Sequence, residues 1–353
     1  RQWFVKVESL ATKALEAIES TKTVIIGSGH EKIMKHGLKN LRDWNISRQI
    51  VWGIRIPVWY NVDDNPDMVI GFLTRDGKFV KETVSELLND YDLEEIKTGL
   101  QTLITTNDAK YEVSKVSPGD RYLQETETFD TWFSSGQWPV VALRAKNEAD
   151  FETFYPTSVM ETAYDILTFW VMRMMLLGIY LTGKSPFEKV YLHGLVRDEK
   201  GQKMSKSKGN VINPLDFVDK YGADALRMAL VMSSTAGLDS AVGESKIKGM
   251  RNFANKIWNA GRFIKLMKEG QLPHESKDSP TLDKVFGEKL NEVIKQTTSQ
   301  LNKLRIGQAS ETVHNEFWHW FCDQCIEDGK KGDLSLERLE QGLEVFLKLL
   351  HPF

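Results

Sequence analysis

Cysteine is nearly absent: Cys322 and Cys325 are the only two in 353 residues. No disulfide framework holds this fold, and a reducing compartment, the cytoplasm, is the natural expectation. A C-x-x-C pair can serve redox chemistry or half a zinc site. Zinc needs four ligands, though, and the flanking Phe317-Trp318-His319-Trp320-Phe321 reads as an aromatic-rich helix, so no metal is expected. Net charge is also scarce. With 46 Lys and Arg against 49 Asp and Glu the formal balance is −3, so no field over the whole chain draws in nucleic acid and any such partner needs a local patch. The amino-terminal Arg1-Gln2-Trp3-Phe4-Val5 has neither a signal h-region nor transit-peptide composition. The one long apolar run, Ala163–Leu181, is interrupted by Asp165 and Arg173. Each ion costs about 2.5–3.5 kcal/mol near a bilayer centre, so a buried helix lining a site is expected rather than a membrane span.

Hydrophobic content of 41% and charged content of 27% are those of a globular protein, and the length suits two or three packed domains. Up to residue 60 the pattern alternates strand-like and helical runs: Trp3–Val7, Leu10–Ile18, Thr23–Ile26, then a helix from about Glu31. Gly27-Ser28-Gly29 follows the strand, but Lys32 stands where a dinucleotide loop needs its third glycine, so a plain turn is expected. Residues 61–128 read as an insertion, with turns at Asp63-Asp64-Asn65-Pro66 and Arg75-Asp76-Gly77-Lys78 and an acidic, solvated stretch Leu88–Ile96. Residues 129–240 return to α/β, with a strand at Lys189–Leu195 and helices at Met160–Leu181 and Pro214–Met232. Beyond about 240 strand signals stop. Helical periods run through Lys246–Lys268, Leu282–Arg305, Ala309–Asp328 and Leu334–Leu350, a helical bundle filling 241–353.

The sharpest local signal is Gly201-Gln202-Lys203-Met204-Ser205-Lys206-Ser207-Lys208-Gly209-Asn210. Three lysines on a loop bracketed by glycines suit a polyphosphate, because catalysis of phosphoryl displacement is a matter of position and charge. Lys203 and Lys206 are the candidate catalytic pair; a solvated lysine-rich surface loop is the competing reading. Lys203-Met204-Ser205-Lys206-Ser207 resembles the second signature motif of the class I aminoacyl-tRNA synthetases, and its flanks, His193 to Lys200 and Asn210-Val211-Ile212-Asn213-Pro214, are similar to the same family's strand-loop-helix surround. Arg42-Asp43-Trp44-Asn45-Ile46-Ser47-Arg48-Gln49, with Trp52-Gly53 and Ile56-Pro57, resembles a stretch shared by the valyl, isoleucyl and leucyl members. Within that group, Phe154-Tyr155-Pro156-Thr157-Ser158, the run Thr162 to Met174, Asp130-Thr131-Trp132-Phe133-Ser134-Ser135 and Arg251 to Ala260 look valyl-like.

That resemblance implies a Rossmann-like parallel-sheet core, α/β in class, present in its second half with an insertion and followed by an all-α bundle of the anticodon-binding type. It implies ATP with Mg2+ as cofactors, valine and tRNA(Val) as partners, no membrane, and a monomeric full-length form. The ATP site would take His193, Gly194, Lys203, Met204, Ser205, Lys206 and Ser207. The valine pocket would take Trp132, Ile166 and Trp170, with Asp165 reaching the ribose or the substrate amine. Ile166 and Trp170 are four apart and on a helix share one face, although ordinary core packing produces the same spacing. The local basic patch is Lys246, Lys248, Arg251, Lys256, Arg262, Lys265 and Lys268, a helical stretch without Asp or Glu, which suits salt-sensitive binding to tRNA phosphates or else a solvated helix face.

Two of the family's parts are missing from this sequence. None of the seven histidines forms a His-x-x-His motif, and the editing domain has no counterpart, so a segment of a larger enzyme, inactive alone and a poor discriminator against threonine, is expected. A non-catalytic tRNA-binding module and an isoleucyl or leucyl specificity are the alternatives.

Overall fold

The computed structural model describes residues 2–211, 213–232, 234–272 and 280–353, with Lys206 described by its backbone alone. These form two compact units, one made of the chain up to Val24 with Lys32–Ser158 and Ile166–Glu188, the other of Ile25–Glu31, Val159–Asp165 and Lys189–Phe353.

In the first unit the helix Glu8–Glu19 turns Leu10, Ala11, Ala14, Ala17 and Ile18 inward, an i, i+3, i+4, i+7 stripe. It packs on the helix Met172–Thr182, whose residues from Met174 to Ile179 are all buried. That is why the sequence is apolar on every side there. With the turns before it, Tyr164–Thr182 is long and apolar enough to cross a membrane, and half of it is buried within the protein. Residues 61–128, read as an insertion, build their own core around Tyr60, Ile70, Phe72, Ile96 and Leu123. Val58–Asn61 pairs antiparallel with Tyr122–Gln124 and Glu112–Val113, and Val69–Leu73 with Phe79–Thr83 and Leu100–Ile104. Leu88–Ile96, by its sequence a solvated acidic helix or loop, spans parts of two short helices, Val84–Asp90 and Leu93–Gly99, and only Ile96 within it is buried. Thr83 and Glu86 close a capping box on the first, Asp92 caps the second, and Leu87 and Ile96 are buried among the acids.

The second unit is organised by the strands Val24–Ile26, Thr157–Ala163 and Phe187–His193, with Phe187–His193 in the middle. Gly27 lies against Leu192, and the His30 ring is 5.0 Å from that of Tyr164. All three strands therefore end at one edge and run parallel. The helix expected from Met160 begins later: Thr157–Ala163 is extended, followed by a 3-10 turn Tyr164–Ile166, a π turn Leu167–Val171 and only then α-helix. The β-branched Thr157, Val159 and Thr162 suit an extended strand better than a helix. The helix expected over Pro214–Met232 is two, Pro214–Tyr221 and Ala223–Val231, because Gly222 between them has φ +90°. Asn213 and Pro214 start the first.

The carboxyl-terminal helices are Glu244–Lys268, Pro280–Asn302, the nearly continuous Ile306–Lys330 with a π segment at Glu316–Cys325, and Leu336–Leu350. They close on Phe253, Ile264, Phe286, Val293, Phe317, Phe321 and Phe346, and Met228 of the preceding α/β segment belongs to the same core. That shared core is why the bundle falls in one compact unit with the strand edge.

Candidate active site

The carboxyl edge of a parallel sheet is where α/β proteins bind ligands, and three sequence-selected residues stand there: His193 and Gly194 at the end of the middle strand, Asp165 after the strand Thr157–Ala163. His193 Nε2 is 3.2 Å from Glu161 Oε1, while Asp165 is exposed. Gly194 is pressed against the backbone of Leu238 and Asp239, leaving no room for a Cβ. What sequence reading missed is the cluster holding this edge together. The Asp239 carboxylate accepts from the Leu195 amide at 2.9 Å, from the Arg197 guanidinium and from the Tyr164 hydroxyl. Burial works to raise the Asp239 carboxyl, but the Leu195 amide, Tyr164 and Arg197 outweigh it and hold it below its ordinary range. The same hydrogen bond to Asp239 raises the Tyr164 phenol.

From this edge Val196–Arg197, paired in parallel with Ser240–Ala241, leads directly into the lysine loop. Arg197 forms a backbone bridge with Lys203, and Lys206–Lys208 is one 3-10 turn. Gly201 and Gly209 have φ of +73° and +65°, so the two bends at the ends of the loop need glycine. Lys203 and Ser207 are exposed, Met204 and Ser205 half-buried, and the Ser205 and Ser207 hydroxyls are 3.2 Å apart. The Lys206 side chain lies outside the described residues. Asn210 ties the loop across its base: its amide donates to Asp198 Oδ2 at 2.8 Å and to the Lys203 carbonyl at 3.2 Å, and accepts from the Ser205 amide at 2.9 Å.

The first unit holds the aromatic candidates. Trp132 stacks on Phe169 with ring centroids 6.4 Å apart, and the Trp170 indole donates to the Ser135 carbonyl at 3.3 Å. Trp132, Ile166 and Trp170 are all half-buried. Ile166 and Trp170 are not set by α-helical spacing, since Ile166 ends a 3-10 turn and Trp170 lies in a π turn of wider spacing. Beside them is a charged group that sequence reading did not select. Arg173 lies over the Trp44 ring at 4.2 Å, the Trp44 indole donates to Asp130 Oδ2 at 3.0 Å, and Arg48 pairs with the same oxygen at 3.1 Å. Arg173 keeps Nε and Nη1 buried without a partner among the described residues, and burial lowers its pKa. The signal was available: Asp130 opens the tract that carries Trp132, and Arg173 is the only cation in the apolar helix.

The basic stretch divides. Lys246 donates inward to the Met232 carbonyl at 2.9 Å, and burial lowers its pKa; Lys256 pairs with Asp323 at 3.1 Å and lies over Trp318. These two ammonium groups already have partners within the bundle, whereas the other cations of the stretch face outward. Lys268 pairs with Glu340 at 2.7 Å. Lys248, Arg251, Arg262 and Lys265 are exposed, with Lys265 only 3.7 Å from Glu269 of the next turn. Cys322 and Cys325 are buried in the bundle, which pushes each thiol up to about 12, and no group of three or more metal-ligating side chains occurs among the described residues.

Residues 1–242 match the family of class I tRNA synthetases (I, L, M and V), and residues 283–353 match the anticodon-binding domain of tRNA ligases. The chain belongs to the class I tRNA synthetases. Among its relatives, the valine–tRNA ligase of Dehalococcoides mccartyi strain CBDB1 is 38% identical over the whole chain, and that of Thermus thermophilus is 37% identical over 99% of it. The chain spans 37% and 38% of those two proteins' lengths. Two solved structures share the fold: Mycobacterium tuberculosis methionyl-tRNA synthetase bound by methionyl-adenylate (TM-score 0.63, 14% identity, 99% of this chain and 60% of that one) and the Agrobacterium radiobacter K84 LeuRS-tRNA-LeuAMS ternary complex (TM-score 0.61, 21% identity, 89% and 40%).

Proposed function

We propose that this chain supplies the second half of the adenylation site, and part of the tRNA-binding surface, of a valine–tRNA ligase. In the reaction a valine carboxylate oxygen attacks the α-phosphorus of ATP and the bond to the β-phosphate breaks, giving valyl-adenylate and pyrophosphate. A ribose hydroxyl at the tRNA 3′ end then attacks the adenylate carbonyl and AMP leaves. Neither step needs an enzyme nucleophile, so charge and position carry the catalysis.

The observation that carries the reading is Arg197, whose backbone bridges Lys203 and whose side chain holds Asp239. One residue thus joins the lysine loop to the carboxyl edge where His193 and Gly194 would meet the adenine end of ATP. Lys203 and Lys206 would take the phosphates, assisted by Met204, Ser205 and Ser207. Asp165 would meet the ribose or the amine. Trp132, Ile166 and Trp170 would wall the valine pocket, a role that the anchored indole of Trp170 and the stacked ring of Trp132 support. Magnesium would supply charge neutralisation on the phosphates. The described residues include no cluster of three ligating side chains, so the ion would come with the nucleotide rather than sit in a protein cage. Lys248, Arg251, Arg262 and Lys265 would meet tRNA phosphates. The two buried thiols fit a reducing cytoplasm.

The test is valine-dependent exchange of pyrophosphate into ATP, by this chain alone and with the family's amino-terminal half-core added. Exchange in the supplemented sample supports the reading. None in either sample, with salt-sensitive tRNA binding retained, would replace it with a non-catalytic tRNA-binding module, and exchange driven by isoleucine or leucine would move the specificity.

A further inference from the structure

The lysine loop has to present its charges in a fixed direction, yet between the Arg197 bridge to Lys203 and the 3-10 turn from Lys206 its backbone has few bonds of its own. Two side chains outside the motif supply the rest. Asp198 lies before the loop and accepts the amides of Lys200 at 3.0 Å and Gln202 at 2.7 Å on Oδ1. Its other oxygen takes the Asn210 amide. Asn210 lies after the loop, and its remaining bonds, to the Lys203 carbonyl and from the Ser205 amide, bracket Met204. An asparagine is needed, because the group must donate to two acceptors and accept from one donor at once. Aspartate there would set one carboxylate against another. The Asn210 amide is also the largest influence holding the Asp198 carboxyl below its ordinary range, so the bond is made to the charged form.

We propose that Asn210, clasped by Asp198, is a positioning residue for the lysine loop: it sets the backbone from Lys203 to Ser205, and so the direction in which the loop's charges meet a triphosphate. The proposal rests on the reading of that loop as phosphate-binding, and its test separates the two.

The 353-residue chain, with the family's amino-terminal half-core added, is digested with limiting trypsin, with and without ATP, and cleavage after Lys203, Lys206 and Lys208 is followed by mass spectrometry. Circular dichroism confirms that each variant is folded. Asn210→Ala and Asn210→Asp should raise cleavage about tenfold, the worth of roughly one net hydrogen bond. The exchange variant, Asp198→Asn with Asn210→Asp, restores a donor facing a carboxylate and should recover the part of that loss due to the bond between 198 and 210, leaving the Lys203 carbonyl without its donor; general loosening produces no such rescue. ATP should protect the wild type, and Asn210→Asp should need about tenfold more ATP for the same protection. Wild-type cleavage rates in both single variants, or no recovery in the exchange variant, overturn the clasp. Faster cleavage in the variants with no ATP protection of the wild type overturns the phosphate reading and the positioning role with it, leaving only a scaffold contact.

Discussion

Gly194 sits so close to Leu238 that a β-carbon on it would overlap the Leu238 carbonyl oxygen. The backbone cannot yield there, because Leu195 and Arg197, just beyond, are both bonded to Asp239. Gly194→Ala should destabilise the second unit by about 1–3 kcal/mol, the usual range for overpacking. Gly201→Ala, with open space around it but φ +73°, should cost about 1–2 kcal/mol through backbone strain alone. Urea unfolding measures both, and equal costs would show that the Leu238 contact relaxes.

Cys322 and Cys325 give a pH dependence with a definite sign. Each thiol is raised by burial from 9.0 to about 12, so between those values the unfolded chain has released protons that the folded chain keeps. Their contribution to stability is present in full below about pH 9 and is lost as pH rises towards 12. A double Cys→Ser variant should show a flatter fall in urea midpoint over pH 8.5–10. Native thiols should resist iodoacetamide at pH 8, since the thiolate is the reactive form; prompt alkylation of the folded chain would contradict this burial.

The basic helix should behave as two sets. Arg251→Gln and Arg262→Gln should each reduce the slope of log K against log salt for tRNA binding by about one, with affinity falling for all tRNAs alike. Lys246→Met and Lys256→Gln should leave the slope unchanged, because their ammonium groups face Met232 and Asp323. Filter binding across a salt series checks this, and a slope change for Lys246→Met would return that residue to the nucleic-acid face.

The parts of this molecule that were legible in the sequence are those governed by local patterns. The helix over Leu10–Ile18, the switch to helices beyond 240 and the lysine loop all declare themselves over a few residues. The parts that were not legible depend on partners far along the chain. Nothing near Asp239 marks it as the acceptor for Tyr164 and Arg197. Nothing near Lys246 says that the Met232 carbonyl awaits it. Between Met160 and Val171 the apolar content was read correctly, but hydrophobicity does not distinguish α from π spacing, so the shared face of Ile166 and Trp170 was inferred from a geometry the chain does not adopt.

The two glycines at the ends of the lysine loop set a limit on its stroke. From Gly201 to Gly209 there are nine residues, held at one side by the Asp198 turn and at the other by Asn210. Once the Asn210 bonds to Lys203 and Ser205 are released, the backbone at the middle of the loop has four residues of tether on either side, and at about 3.4 Å per residue it travels no further than roughly 14 Å from its moorings. A nucleotide whose phosphates lay outside that radius by more than the length of a lysine side chain would be out of range of the loop's lysines, however strong the attraction, so lengthening the loop by two residues should widen the catchment while loosening the aim.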